Sequence, residues 1–581
     1  MSSETERSTL KHEEDFERVV KNKLTGNFDD WPNEAGFEGL TEVRGPVKLK
    51  VTGSIPSWAA GTLYRTGPGG YTIENTPKGT FKTTHWFDGF AHTHKFEIIS
   101  DPDDPNEPVQ ARYSSRYQAE EYVNAIRKLG RAPGLSFGQR QDPCIGIFGK
   151  LMSIFRREEA ERDPASANVC VTVQANLPGL PAGSKQSSSG HKGVLRSLHL
   201  ATDANIYQEI SPETLEPIGL AKQRSLHPLL KGPLSSAHAQ RDPDTGDVFN
   251  FNLDMGLCAT YRVFRTSAAS GETDILATIS ASDLKPAYIH SFFLTPSFVV
   301  LRVPSSHLAC MGIAVPWNGN IVDAMETFDP SQLCRWFVVD RRGDRGVVAA
   351  FESPAGFFFH SINAFEARDA STGAIDVFCD VVEYPSTDII RAFEMEVLLN
   401  TRGADDVFVR DERRVRNCLP RLARHRLRVA PADRPGEAAR ATATTEKVFE
   451  IRAPHAGDLP TINPKYATRP YRYAYSLATS GRTALHETII KTDLSTHQTV
   501  SWDGPAGHTP GEAIFVPRPG SGDGEDDEDD GVLLSVILDG YGKTSYLVCL
   551  DAKTMRELGR AECDWAIGHG FHGLHIGADL L

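Results

Sequence analysis

From Val47 onward the chain is a succession of short runs in which apolar and polar residues alternate: TLYRTG, HTHKFEII, VFNFNL, SFVVLRV, WFVVDRR, AIDVFCDVVEY, YRYAYSLA, GVLLSVIL and SYLVCLDA. A period of two puts successive side chains on opposite faces, the signature of a β-strand. Gly, Pro, Asp or Asn bound many of these runs, as tight turns require. One turn pattern also recurs: SPETLEPIG at 211–219, RDPDTGDVF at 241–249, RDASTGAIDVF at 368–378, TDLSTHQTV at 492–500 and LDAKTMRELG at 550–559. Hairpin tips repeating through a long all-β chain predict propeller blades, with the period blurred by insertions. Residues 31–581 are therefore expected to form a single propeller domain, and 1–30 a flexible N-terminal arm, loose or helical.

Several stretches interrupt the strand pattern. Residues 181–192 and 429–447 are polar and rich in Pro, Gly or Ser, and are expected as mobile loops capping one face. The acidic run at 520–531 is expected as a solvated loop. An insertion at 120–160 contains QDPCIGIFGKLMSIFRREE, which reads as a short helix. Ile145, Phe148, Leu151, Met152 and Phe155 form its apolar face, and Lys150, Arg156 and Arg157 flank it. Such a helix either packs on the propeller or lies in a membrane interface.

Composition excludes some classes. The formal charge of −14 over 581 residues argues against a nucleic-acid partner, because phosphate binding needs a basic surface. The polar N-terminus has no apolar signal region, and no stretch approaches the roughly 20 apolar residues of a spanning helix. Nine cysteines without paired spacing fit reduced thiols. The expected location is the cytoplasm, with peripheral membrane association and no obligate protein partner.

The candidate chemistry lies in four histidines: His238 in SSAHAQRDP, His290 in AYIHSFFLT, His360 in GFFFHSINAFE and His572 in GHGFHGLHIG. Each sits in a short apolar or glycine-rich stretch, far from the others. A lone histidine of this kind is more often a core residue than a ligand. Four of them, converging from separate strands, would make a site of neutral imidazoles suited to iron, copper or zinc.

The surroundings of these histidines resemble the carotenoid cleavage oxygenase family, from about Trp58 to Gly573. SIPSWAAGTLYRTGPG and HWFDGFAHTHKFE match its opening signatures. AHAQRDPDTGD, YIHSFFLT, FHSINAFE and GFHG match, in order, the segments that carry its metal ligands, with TINPKYATRPYRYAYSL and GEAIFVPRPG between the third and fourth. The chain is most similar in flavour to fungal members that cleave torulene or related carotenoids. The resemblance implies seven blades, one Fe(II) held by His238, His290, His360 and His572, and O2 as co-substrate. It implies carboxylates behind the histidines at Asp203, Asp458 and Glu512. Relatives mostly carry glutamate at all three, so a backbone closer by one methylene, or a bridging water, is expected at the two aspartates. The D-P-C-x-x-I-F segment is similar to the membrane-facing tunnel mouth of relatives, which places Ile145, Phe148, Leu151 and Phe155 against a membrane and makes Cys144 a candidate for lipidation.

The implied activity is cleavage of one C=C bond of a carotenoid or apocarotenoid, torulene and β-carotene among the candidates, to two aldehydes. A ferrous ion answers the spin barrier that keeps triplet O2 from a closed-shell polyene. An inert zinc site is the rival, which sequence alone does not exclude. An apolar tunnel is required, and Phe292, Phe358 and Phe571 are its candidate lining. The alternatives are a stilbene-cleaving dioxygenase, whose phenolic substrate would need Lys and Tyr in the pocket, and a catalytically inactive lipid-binding propeller. Ala204, uncharged beside Asp203, leans toward the apolar substrate.

Overall fold

The computed structural model describes residues 2–25, 31–101, 103–104, 107–140, 163–180, 194–343, 345–430, 442–520 and 527–581. Among these residues, strands form six sheets of four or more strands and one small hairpin, an all-β, propeller-like arrangement. Most sheets are meanders of consecutive antiparallel strands, such as Asp458–Thr461, Tyr473–Ala478, Thr488–Asp493 and Thr499–Asp503. The recurrent turns sit at their hairpin tips. Asp242 Oδ1 accepts the N–H of Asp244 at 2.8 Å and of Thr245 at 2.7 Å, and Asp369, Asp493 and Asp551 each accept an N–H two or three residues on. A carboxylate that satisfies the turn amides is why these tips favour Asp.

The ten-stranded sheet consists of two meanders joined through one strand, Val47–Gly53. Val47–Leu49 pair with Ala111–Tyr113, and Lys50–Gly53 pair with Gly559–Glu562. The C-terminal strand Gly573–Gly577 in turn pairs with Gly61–Pro68. The two ends of the chain are thereby interlaced.

Three expectations about the insertions need correction. The N-terminal arm takes the helical alternative, Ser2–Thr25, and is packed where flexibility was expected: Phe16, Val19 and Val20 are buried against Val409, Val415 and Leu419. Its apolar spacing of three and four residues makes one sticky face, and short helices between Asp388 and Asn417 cover that face. Within 429–447, Thr442–Thr444 adds a parallel strand to Ala350–Glu352 and Glu446 opens a further strand, while 431–441 lie outside the described residues. At the end of the acidic run, Glu528 and Asp529 are buried. Glu528 accepts the N–H of Arg472 and Tyr473, and Asp529 pairs with Lys491 at 2.5 Å. Those carboxylates are partnered, so they need no solvent.

Residues 141–162, with Cys144, Ile145, Phe148, Leu151 and Phe155, lie outside the described residues, as do 181–193 and 521–526. Among the described residues no helix is long and apolar enough to cross a membrane.

Candidate metal centre

The four histidines all lie on or beside an edge strand of their sheet, where the pairing is broken. His238 falls in the gap between Leu234–Ser235 and Gln240–Arg241, which both pair with Val248–Asp254. His290 precedes Phe293–Leu294, and His572 precedes Gly573–Gly577. His360 lies inside Phe357–Arg368, where the register shifts between Phe358 and Ser361. A break of this kind frees a residue from the ladder and re-aims its side chain. Edge strands of successive sheets contact one another, as Phe293–Leu294 does Phe357–Arg368 and the latter Asp458–Thr461, so the re-aimed side chains meet.

They meet closely. The coordinating nitrogens of His238, His290, His360 and His572 all lie within 4.8 Å of one another. His238 and His290 face each other Nε2 to Nε2 at 3.0 Å, and His360 and His572 at 3.2 Å. The rings of His238 stand nearly perpendicular to those of His360 and His572, at 89° and 88°.

Three of the four are fixed from behind by a carboxylate. His290 Nδ1–H donates to Asp203 Oδ2 at 2.8 Å, His360 Nδ1–H to Asp458 Oδ1 at 2.6 Å, and His572 Nδ1–H to Glu512 Oε1 at 2.7 Å. The contact is direct at both aspartates, without a bridging water. At Asp458 the backbone supplies the missing reach: the residue opens its strand at a register shift, and Leu459 takes a positive φ of 49°. At Asp203, the carbonyl accepts Ser235 N–H and Oδ1 accepts Ala237 N–H at 2.9 Å, which draws the loop against the segment that carries His238. Beside Glu512, the guanidinium of Arg65 comes so close that a Cβ at Gly511 would sit 2.3 Å from Arg65 Nη2.

A carboxylate can only accept, so the proton of each of these imidazoles is on Nδ1 and the lone pair on Nε2. Burial, and then the other three imidazoles, hold His238 well below its ordinary pKa. Burial pushes the Asp458 carboxyl up, but His360 and the Tyr384 and Leu459 donors outweigh it and hold it at about 2. The result is a buried set of imidazoles whose nitrogens converge on one point, with the Nε2 lone pairs of His360 and His572 facing each other. Lone pairs facing at about 3 Å repel unless a cation lies between them, and four imidazoles suit a divalent first-row transition ion. The residues present therefore fit a metal ion.

A cavity of about 510 Å³ opens onto His290, His360 and His572. Trp86, Phe87, Val171, Phe359, Phe393 and Phe571 form most of its wall. The rings interlock: Phe87 lies 5.7 Å from Phe359 and 5.1 Å from Phe571, and Phe359 stands edge-on to His290 at 5.7 Å. Of the phenylalanines expected there, Phe571 lines the cavity and Phe292 and Phe358 do not. Phe292 packs edge-on to Phe251, and Phe358 lies against Phe293 beneath the Arg302 guanidinium. The register shift between Phe358 and Ser361 interrupts the alternation and brings Phe359 as well as His360 to the cavity in place of Phe358. His486 also lines the wall, its Nδ1 buried without a hydrogen-bond partner, and it borders a second, largely apolar space of about 840 Å³ shared with Phe393. Phe393 and His486 carried no sequence signal. Trp86 and Phe87 lay within the quoted WFDG motif, without an assigned task.

The model of the retinal pigment epithelial membrane protein family matches residues 36–577. A carotenoid dioxygenase of Neurospora crassa is 49% identical, over 99% of this chain and 96% of its own length. A torulene dioxygenase of Gibberella fujikuroi is 47% identical, over 98% of each chain. Among solved structures, a mutant of the Synechocystis apocarotenoid oxygenase superposes with a TM-score of 0.68 at 22% identity, covering 95% of this chain and 100% of that one, a likeness of fold.

Proposed function

The chain belongs to the carotenoid cleavage oxygenase family, and on that premise we propose that it is a dioxygenase splitting one C=C bond of a carotenoid or apocarotenoid with O2 to give two aldehydes. The observation that carries this is the convergence of His238, His290, His360 and His572, the last three of them on the wall of an aromatic cavity. Torulene and β-carotene are the proposed substrates. The described lining of this cavity holds no lysine and no tyrosine, which favours the polyene, although Lys23 and Tyr384 line the adjoining space.

The proposed ion is Fe(II), held through the Nε2 atoms of His290, His360 and His572 and by His238. When bound, it would supply the activation of triplet O2 that a spin-paired polyene needs. The protein's part is positioning. Asp203, Asp458 and Glu512 keep the Nδ1 protons and hence the ring orientations. Phe87, Phe359, Phe393 and Phe571 offer faces and edges to a flat conjugated chain and exclude water from it.

The proposed architecture is seven-bladed, because the ten-stranded sheet counts as two blades when Val47–Gly53 is assigned to both halves. We further propose that the protein is cytoplasmic and binds membranes peripherally through Ile145, Phe148, Leu151 and Phe155, since its substrate is insoluble in water.

The test is product analysis with iron-loaded protein. Torulene or β-carotene should give two aldehydes, each carrying one atom from isotopic O2. Cleavage of resveratrol alone would replace the assignment by a stilbene-cleaving one. Iron-loaded protein that cleaves neither would leave an inactive lipid binder.

A further inference from the structure

Two of the three carboxylates behind the histidines are aspartates, and each of those two also accepts a tyrosine hydroxyl. Tyr288 Oη–H donates to Asp203 Oδ2 at 2.7 Å, the same oxygen that receives His290 Nδ1–H. Tyr384 Oη–H donates to Asp458 Oδ2 at 2.6 Å, while Oδ1 serves His360. Glu512, the longer residue, has no phenol: Oε1 serves His572 and Oε2 accepts the N–H of Gly573 at 2.8 Å.

Each tyrosine travels with the histidine it serves. Tyr288 is two residues before His290, on the same side of an extended segment, so phenol and imidazole both reach one carboxylate oxygen. Tyr384 ends the strand that pairs with Phe357–Arg368, in register with Phe357, three residues before His360. Both rings are buried. Packing at these positions asks only for a ring, which phenylalanine would supply without a hydroxyl to satisfy.

We propose that Tyr288 and Tyr384 are positioning residues for the metal centre, each phenol orienting an aspartate that is one methylene too short to orient itself. An aspartate has its carboxylate close to its own backbone, and its torsion must be set from outside if the imidazole is to meet a straight N–H···O bond. Backbone amides hold one oxygen of each aspartate, Ala237 N–H on Asp203 Oδ1 and Leu459 N–H on Asp458 Oδ1, and the phenol holds the other, Oδ2; at Glu512 the amide of Gly573 takes the place of the phenol. Aspartate and tyrosine thus act as a pair that replaces a single glutamate.

The inference rests on the four histidines being a metal centre, and the test separates the two. Full-length protein is loaded with cobalt(II), and both its visible absorption and its resistance to a chelator are followed. Wild-type protein that takes up no cobalt at the histidines would overturn the metal assignment and this inference with it. With the metal bound, Tyr288→Phe and Tyr384→Phe should each lose it about 10-fold more readily, the lower end of the range for outer partners of metal ligands. Their cobalt bands should shift as the imidazoles reorient. The decisive variants pair each change with the longer acid: Tyr288→Phe with Asp203→Glu, and Tyr384→Phe with Asp458→Glu, should regain retention and band position. Wild-type retention in the single variants would overturn the proposal. So would a loss that glutamate fails to rescue while the metal-free protein is equally destabilised, because the hydroxyls would then be structural only.

Discussion

His360 and His572 hold their Nε2 atoms 3.2 Å apart, and the bonds from their Nδ1 atoms to Asp458 and Glu512 leave each Nε2 as a bare lone pair. Such a pair is stable only with something positive between its members. Replacing His238, His290, His360 or His572 by Ala should therefore remove bound metal and abolish oxygen-dependent cleavage. His575→Ala should keep both, although it lies three residues from His572, because His575 is outside the cluster. Elemental analysis beside an oxygen-uptake assay reads both quantities. A variant of the four that retained metal and activity would take that residue out of the site.

The carboxylates should matter in graded fashion through the metal alone. Losing an outer partner of a ligand costs about 10–100-fold in metal affinity or activity. Because all three contacts are direct, between 2.6 and 2.8 Å, Asp203→Ala, Asp458→Ala and Glu512→Ala should all fall in that range. Chelator competition measures it. Unchanged affinity in all three would mean the imidazoles need no support from behind.

Much of this was legible in the sequence for a physical reason. The segments around His238, His290, His360 and His572 resemble, in order, the ligand-bearing segments of a known family, whereas a lone histidine in an apolar strand, such as His199, is core and carries no such signal. Blades were legible because Asp242, Asp369, Asp493 and Asp551 must sit where turn amides need an acceptor. What failed depends on facing. The register shift between Phe358 and Ser361 decides which phenylalanine turns to the cavity, and a linear pattern does not record a shift. Tyr288, Tyr384 and His486 were missed because their work depends on what stands opposite them. Glu528 and Asp529 looked solvated because their partners, Arg472, Tyr473 and Lys491, are remote in the chain.

The split between Phe359 and Phe358 gives a paired test. Phe359→Leu and Phe571→Leu change the cavity wall and should lower kcat/KM for β-carotene in the folded fraction, beyond any loss of stability from these buried rings. Phe358→Leu and Phe292→Leu alter packed core rings and should lower stability by about 1–3 kcal/mol, with kcat/KM retained by the folded fraction. Urea unfolding and steady-state kinetics on the four variants decide it. Equal kinetic effects in both pairs would contradict the assignment of faces.

Acid should weaken the metal-free fold through buried histidines outside the cluster of four. Burial holds His85 and His199 at about 4 and His92 at about 3, and burial likewise holds His569 at about 3, against an ordinary value of 6.5. Between 6.5 and about 4 the unfolded chain therefore binds protons that the folded one refuses, so stability is fully present above 6.5 and is lost as pH falls through that window. Asp88 opposes this: burial raises it to about 6, so in the folded state it keeps a proton that the unfolded carboxyl has released above 3.8. Four histidines outweigh one aspartate. The urea midpoint should fall between about pH 7 and about pH 5, and a rise would show that Asp88 dominates.

The last prediction concerns delivery of the substrate. A carotenoid is held in membranes or micelles, so an enzyme acting on it must take it from an apolar phase. Each large apolar side chain buried in that phase contributes about 1.5–3 kcal/mol. Phe148 and Phe155 together would then account for most of a reversible attachment. Phe148→Asp with Phe155→Asp should release the protein from phosphatidylcholine vesicles and slow cleavage of β-carotene held in them. Metal content and cleavage of a short, detergent-dispersed apocarotenal should be unaffected, because neither requires contact with a bilayer. Sedimentation with vesicles, metal analysis and the two cleavage rates separate the outcomes. If the double variant loses metal or fails to fold, the segment is packing against the propeller, and membrane attachment must be sought elsewhere.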